Sequence, residues 1–405
     1  MTSPSPNLFV GSTIRRCRQQ KGDRPVASVA GLCGITPRYL HMIEEGTKVP
    51  SLDVLDRIAA VLGVPPAAPL AGEPISEPSL PGSAAPAVAR ALLSPTREPR
   101  GAWDAARLRE RIERAWHSWQ TAKDRFTQTA SHLPDLITDV EDAVRHHRHG
   151  HDAQARREVL RVAADLYGLL RSYCRRVGRL DLALVVADRA MQAAEGADDP
   201  VRRAAVSWNL GHVLLSHNEP DAVEEAKEIA LRAVEQLHTV PANTASRAVE
   251  GALELVAVVS DVRRRSWSEA RRRLEHRALP LARAAGEGNV QWTVFGPTNV
   301  VLHAMSIEML AGEMGEGLRL ADRVDTSRLP SREWQFTFGL EVARCYNLRR
   351  DGAAVLVHML SLEDLAPEDL SRSPAAQTMV QDLQLRLRPA FRRKVDALAS
   401  RLQLA

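Results

Sequence analysis

Apolar residues recur at helical spacing along most of the chain, and the length of the runs divides it into three parts. Between residues 8 and 64 the runs are short. Val10, Ile14 and Cys17 mark one stripe, and Val26, Val29, Ala30 and Cys33 a second. Leu40 and Ile43 form a third, and Leu52, Leu55, Ile58, Ala59 and Leu62 a fourth. Punctuation falls where such helices need it. Gly34 supplies a tight turn, Thr36 an N-cap, Pro37 a first helical residue without a donor to lose, and Gly46 a stop. Ser51 caps the next helix and Gly63 closes it. From residue 101 to 405 long amphipathic patterns run with almost no strand signal. Residues 65–100 are rich in Pro, Ala and Ser, too poor in large apolar groups to offset chain entropy, and read as a linker. The predicted architecture is all-α: a five-helix domain over residues 1–64, a disordered linker over 65–100 and a helical domain over 101–405.

Within the last part a helix-pair unit recurs. Tyr167, Leu170 and Cys174 line one helix, Gly178 turns, and Ala183, Ala187 and Ala190 line the next. Leu210, Gly211 and Leu214 precede a turn at 218–220, then Ala222, Ala226 and Ala230. Further units centre on Ala270 and Leu274 after Trp267, on Ala304, Gly312, Gly317 and Ala321, and on Cys345, Ala354 and His358. Small residues at these places let paired helices approach closely. The spacing of roughly 37–48 residues is looser than the tetratricopeptide period, so the units resemble degenerate tetratricopeptide-like pairs. An irregular helical domain without a superhelix is the alternative.

Composition narrows the classes. Aromatic residues make up 4% of the chain, and the abundance of Ala, Leu and Arg favours helices. The net charge of +4 permits a polyanion partner without demanding one. Cys17, Cys33, Cys174 and Cys345 show neither zinc spacing nor a disulfide framework, which points to a reducing cytoplasm. The first residues lack a secretory apolar core, and no apolar run approaches the length of a membrane span. No phosphate-cradling glycine loop, zinc motif or nucleophile elbow occurs, so no enzyme, cofactor or metal is expected.

A short helix, a turn at Gly34 and a second short helix make a helix-turn-helix arrangement. Here the chain resembles the XRE family of bacterial and phage repressors. The residues that carry the likeness are Ala30, Gly34, Ile35 and Thr36, then Ile43, Glu44, Glu45 and Gly46, then Pro50, Ser51 and Leu52. The resemblance covers residues 8–64 and implies a double-stranded DNA operator read by the helix from Thr36 to Glu45. Arg38 suits guanine, because its planar fork matches O6 and N7. Tyr39 and His41 are placed for bases or phosphates, with Thr36, Pro37 and Lys48 near the backbone. Met42 sits where the family often has a base-reading polar residue, or packs inward. The likeness also implies an ion pair between Arg18 and Glu44. One departure stands out. The family commonly opens its second helix with Ser-Gln or Thr-Gln, where this chain has Pro25 and Val26. The lost phosphate contact leaves Arg24 to compensate, or a homodimer to add a second half-site.

The segments "QWTVFGPTNVVLHAMSIEML" and "SLEDLAPEDLSRSP" resemble the C-terminal region of actinobacterial XRE regulators with tetratricopeptide-like repeats. That likeness implies an effector or dimerisation domain, and the architecture is similar to that of peptide-sensing regulators of Gram-positive bacteria. In such pairs the first helix lines the concave face. Helical register then puts Trp208, Asn209 and His212, and Asn299, His303 and Ser306, on one inner surface for a peptide or small molecule. Asn suits a peptide backbone because its amide both donates and accepts. Asn299 after "GPT" is equally suited to capping a helix. His146, His147, His149 and His151 form a solvated loop or a metal site, and Arg263–Arg265 and Arg271–Arg273 a charged exterior or a second nucleic-acid surface. The expected function is a cytoplasmic, sequence-specific transcriptional regulator that senses an effector. The alternative is a protein-interaction scaffold with a vestigial DNA-binding domain.

Overall fold

The computed structural model of the chain describes residues 11, 14, 15, 18, 19, 25–45, 47, 48, 50–62, 85–93, 104–148, 151–217, 219–386 and 389–404. Among them no strand occurs. The chain divides into two compact units, residues 1–79 and 80–405.

In the first unit Gly11, Ile14, Arg15, Arg18 and Gln19 are helical. They are followed by α1 (Val26–Leu32), α2 (Pro37–Glu44) and α3 (Leu52–Leu62). The stripes read from the sequence converge in one core. Ile14, Val29, Ala30, Leu40, Ile43 and Ile58 are all fully buried there, with Cys33, Leu55 and Leu62 beside them. Val10, Cys17, Gly46, Gly63 and any fifth helix lie outside the described residues. Gly34 has φ +64°, a left-handed conformation that costs glycine little. The amide of Ile35 donates to the Ala30 carbonyl at 3.0 Å, which reverses the chain between α1 and α2.

The second unit begins inside the stretch read as linker. Residues 85–93 form α4 (Ala85–Leu93), with Val88 and Leu92 buried in the core of the large unit. Arg189 donates to the Leu92 carbonyl at 3.0 Å and holds the helix in place. Flanking prolines lower the average apolarity of this stretch and hide a short helix with one apolar face.

Antiparallel pairs then follow: α5 (Ala105–Thr121) with α6 (Arg125–Arg148), α7 (Ala153–Arg176) with α8 (Leu180–Gly196), and α9 (Pro200–His217) with α10 (Pro220–Leu237). Next, α11 (Thr244–Arg263) pairs with α12 (Trp267–Arg273), which continues through a π turn, Leu274–Ala278, into α13 (Leu279–Ala285). The series continues with α14 (Pro297–Ala311) and α15 (Met314–Ala321), then α16 (Arg332–Leu348) and α17 (Gly352–Leu365). It ends with α18 (Pro367–Ser371), α19 (Pro374–Arg386) and α20 (Pro389–Arg401). First helices start at Ala105, Ala153, Pro200, Thr244, Pro297, Arg332 and Pro374, so successive units are 35 to 53 residues apart. Buried Ala183, Ala187 and Ala190 pack α8 against α7, as their small size requires.

The longest interval, between α11 and α14, holds an irregular segment. Gln291, Trp292 and Val294 all have positive φ, at 49°, 63° and 53°. For a β-branched residue such as Val294 this is a true outlier, and such strain persists only where the surroundings enforce it. Here they do. The Asn289 side-chain nitrogen donates to the Gln120 side-chain oxygen at 2.6 Å, and the Glu287 carboxylate accepts from the backbone of Thr298 at 2.9 Å. The Phe295 ring lies on Gly251, where an added Cβ would fall 2.0 Å from its edge. The segment is therefore clamped at three points, and it presents Trp292 to the interior of the helix array.

Candidate functional site

In the first unit the surface of interest is the start of α2. Thr36 is extended and its hydroxyl accepts from the Tyr39 amide at 3.2 Å, with Pro37 opening the helix. The first turn holds no acidic residue, so its positive end is not neutralised from within. Thr36, Pro37, Arg38, His41 and Lys48 are exposed, and Tyr39 is half-buried against the core. His41 meets Glu45 one turn on, at 3.0 Å. Met42 is half-buried, and its carbonyl accepts from the Lys48 amide at 3.1 Å, which fixes where Lys48 leaves the helix. Arg24 lies outside the described residues. Behind this surface Glu44 has a fully buried side chain. Arg18 grips it with Nε on Oε1 at 2.8 Å and Nη2 on Oε2 at 3.0 Å, and Arg15 approaches at 3.4 Å. The expected ion pair is present and ties α2 to the preceding helical residues.

In the second unit a cavity of about 150 Å³ lies among the first helices of successive pairs. Trp116, Trp119 and Gln120 enter from α5, Arg171, Ser172, Arg175 and Arg176 from α7, and Trp208 and His212 from α9. Trp292 and Val294 come from the clamped segment, and Ser331, Glu333, Trp334 and Thr337 from the start of α16. Five of the seven tryptophans of the chain thus surround one small space. Trp116 stacks on Trp292, with centroids 5.1 Å apart and planes within 5°. Trp208 meets His212 edge-on at 4.6 Å.

Charge in this region is arranged around Glu333. Arg125, fully buried, gives Nη1 to Glu333 at 2.8 Å and Nε to Asp369 at 2.9 Å, with its guanidinium 4.2 Å from the Trp119 ring centre. Arg176 donates to Glu333 at 2.7 Å, and Arg175 stands 3.4 Å away. Burial alone would raise the Glu333 carboxyl, but Arg176, Arg125 and Arg175 hold it well below the usual carboxylate range. Burial works against the charge of Arg171, and at Arg175 neighbouring Arg176 adds to that effect.

The residues expected on an inner surface are partly brought together. Trp208 and His212 line the cavity. Asn209 accepts from Arg171, so it braces a lining residue from behind. His303 touches Trp334, with ring centres 5.7 Å apart, and its Nδ1 lies 2.9 Å from the Asn299 carbonyl. Asn299 is 2% exposed, does not cap α14, and its side-chain nitrogen has no partner among the described residues. Ser306 is half-buried and outside the lining. Sequence reasoning missed Trp116, Trp119, Trp292, Trp334 and the arginines of α7. Concentration of a rare residue type on first helices was the available signal.

The other clusters are absorbed by the fold. His146 and His147 belong to the last turn of α6 and not to a loop, because the helix runs through Arg148; His149 lies outside the described residues. Among the described residues no group of three potential ligands is placed to hold a metal. Arg271 is bidentate on Glu308 at 2.8 and 2.7 Å and Arg272 pairs with Glu269 at 2.7 Å on the exterior of the helix array, while Arg273 pairs with the buried Glu254 at 2.7 Å. Cys33, Cys174 and Cys345 are buried as small core residues. No helix among the described residues is long and apolar enough to cross a membrane.

Two histidines give a test of this geometry. Burial, then Arg175 and Arg171, holds His212 well below the ordinary imidazole range, and burial lowers His303. In the unfolded chain both titrate near 6.5. Below that value the unfolded chain takes up protons that the folded chain refuses, so stability falls as pH falls. Glu333, held low, contributes fully throughout this window. For His303, 8% exposed, the loss approaches about 1.4 kcal/mol per pH unit. Thermal unfolding followed by tryptophan fluorescence is expected to shift to lower temperature from pH 7.5 to 5.5. A constant midpoint would mean the rings accept protons within the fold.

Comparison with known proteins bears on the first unit. A family model described as "Helix-turn-helix domain" matches residues 10–70. No curated protein matches the chain. Among solved structures, PlcR of Bacillus thuringiensis, in complex with the peptide PapR7 and DNA, is similar at a TM-score of 0.30 and 11% identity. That match covers 88% of this chain and 99% of that one, and a likeness so distant carries no functional argument. The family match and the arrangement of α1, Gly34 and α2 agree: over residues 10–70 the chain is similar to a helix-turn-helix domain.

Proposed function

We propose that the protein is a sequence-specific transcription regulator that binds a double-stranded DNA operator as a homodimer and responds to an effector held in the tryptophan-lined cavity. One observation carries this reading: the start of α2 is exposed, capped by Thr36, free of acidic residues and headed by Arg38. A helix presented this way enters the major groove with its first residues at base edges and its positive end near phosphates. Arg38 reads a base, Lys48, Thr36, Pro37 and Arg24 hold the backbone, and Tyr39 and His41 stand beside them. In the proposed division of the chain, residues 1–64 read DNA, the stretch 65–100 connects as far as α4, which packs into the large unit, and 101–405 dimerise and sense a peptide or small molecule. Trp208, Asn209, His212, Asn299, His303 and Ser306 belong to the proposed sensing surface, with Trp208 and His212 at the cavity itself and Asn209 behind Arg171. An effector alters DNA binding only by preferring one arrangement of the dimer.

Genome-wide binding tests the reading, because the sites report sequence, symmetry and half-site spacing together. With the operator in hand, Arg38→Ala is expected to cost about 1–3 kcal/mol and to relax preference at one base pair. Lys48→Ala should weaken all sequences alike and reduce the salt slope by about one. Unchanged base preference in the Arg38 variant removes it from the reading role.

A further inference from the structure

We propose that the cavity of the large unit takes a small aromatic carboxylate, its ring against the tryptophans and its carboxylate on Arg171. The proposal rests on the reading of this cavity as the effector site. Size sets the first limit: about 150 Å³ gives room for a single aromatic ring, with an open side through which the rest of a ligand can extend. The walls set the second. The Trp119 indole nitrogen already donates to Ser172 at 3.0 Å, and that of Trp116 to the Asp165 carbonyl at 3.0 Å. What these two rings offer a ligand is therefore apolar surface, which favours a flat ring by offset or edge contact.

Charge sets the third limit. Three guanidiniums and one carboxylate line the space. Arg175 and Arg176 turn to Glu333, but Arg171 meets no carboxylate among the described residues. It is 3% exposed, donates to Asn209, lies 5.5 Å from the Trp208 ring centre, and its Nε has no acceptor among the described residues. A buried charged donor left without an acceptor is costly, so the site is completed by an anion. A carboxylate matches the guanidinium fork with two oxygens and a single charge. Neutral His212 beside it adds a ring nitrogen without a competing positive charge. The same ring and carboxylate are presented by a free aromatic acid and by the C-terminal aromatic residue of a peptide.

Tryptophan fluorescence of the full chain tests this with phenylacetate, phenylacetamide and the tripeptide Gly-Gly-Phe. Phenylacetate is expected to quench saturably and to bind at least tenfold more tightly than phenylacetamide. Arg171→Gln should erase that preference, and should it fail to fold, the acid–amide comparison in the unaltered protein stands alone. Equal binding of acid and amide, or saturable binding of neither, overturns the proposal. Gly-Gly-Phe binding more tightly than phenylacetate supports it with a peptide source, and weaker binding supports it with a free acid. The effector reading is tested separately: acid that binds yet leaves operator affinity unchanged keeps the ligand assignment and sinks the regulatory role.

Discussion

Arg125→Met is expected to destabilise the large unit by about 3–5 kcal/mol at neutral pH, the cost of removing one partner from a buried ionic cluster. The side chain is fully buried. Its guanidinium is shared by two carboxylates, Asp369 at 2.5 and 2.9 Å and Glu333 at 2.8 Å, from elements far away in sequence. It thereby joins the start of α6 to α16 and α18. Methionine keeps much of the apolar contact with Trp119 and Phe126 but leaves both carboxylates without their central cation. Glu333 retains Arg175 and Arg176, yet one of the charges that hold its carboxyl low is gone. The Glu333 carboxyl then rises toward its ordinary range, which still leaves it ionised in folded and unfolded chain alike between pH 7.5 and 5.5. The gap between variant and native stability in urea unfolding should therefore be the same at both pH values, on top of the histidine-driven loss that both share. A cost under about 1 kcal/mol at neutral pH would place the cluster in screened, water-like surroundings. Arg125→Lys should fall between the two, since it restores charge without the fork that reaches both acids at once.

Much of the first unit was legible because its signals are local. Thr36, Pro37, Gly34 and the stripe of Leu40 and Ile43 each state a backbone or burial requirement within a few residues. The Arg18–Glu44 pair followed from resemblance, since nothing in its spacing announces a contact between helices. In the large unit the pairing of helices was readable from small residues at Ala183, Ala187 and Ala190, which hold their place by packing alone. The cavity was not readable in full. Its walls come from α5, α7, α9, α16 and a segment whose positive φ values no propensity favours. Of the residues that register grouped together, Trp208 and His212 line the cavity, whereas Ser306 falls outside the lining. The 53-residue interval from Thr244 to Pro297 looks like a defect in the repeat. In the fold it is what delivers Trp292 to the cavity. The helix over 85–93 escaped for a related reason: averaged over its proline-rich surroundings, a nine-residue amphipathic stretch leaves little trace.

Glu44→Ala is expected to abolish tight DNA binding without touching a base contact. Both oxygens of Glu44 are engaged by Arg18, and its side chain is shut off from solvent. Alanine removes the bidentate carboxylate that answers the Arg18 guanidinium, itself only 10% exposed. The cost is about 3 kcal/mol, or roughly two powers of ten in the folding equilibrium. A domain built on so small a core has little stability to spare. The unit should therefore populate unfolded forms at ambient temperature, and α2, too short to persist alone, would lose the orientation that presents Arg38. Two measurements separate this from a lost contact. Binding should fall for every sequence alike, unlike in Arg38→Ala, and a low-temperature unfolding step should appear while the melt of the large unit is unchanged. The paired replacement Arg18→Met with Glu44→Leu supplies the converse. Exchange of a buried pair for apolar groups is often neutral, so the double variant should be more stable than Glu44→Ala and recover operator preference at Arg38. If Glu44→Ala melts like the native chain yet binds DNA weakly, Glu44 acts on DNA directly and its role as a structural tie is wrong.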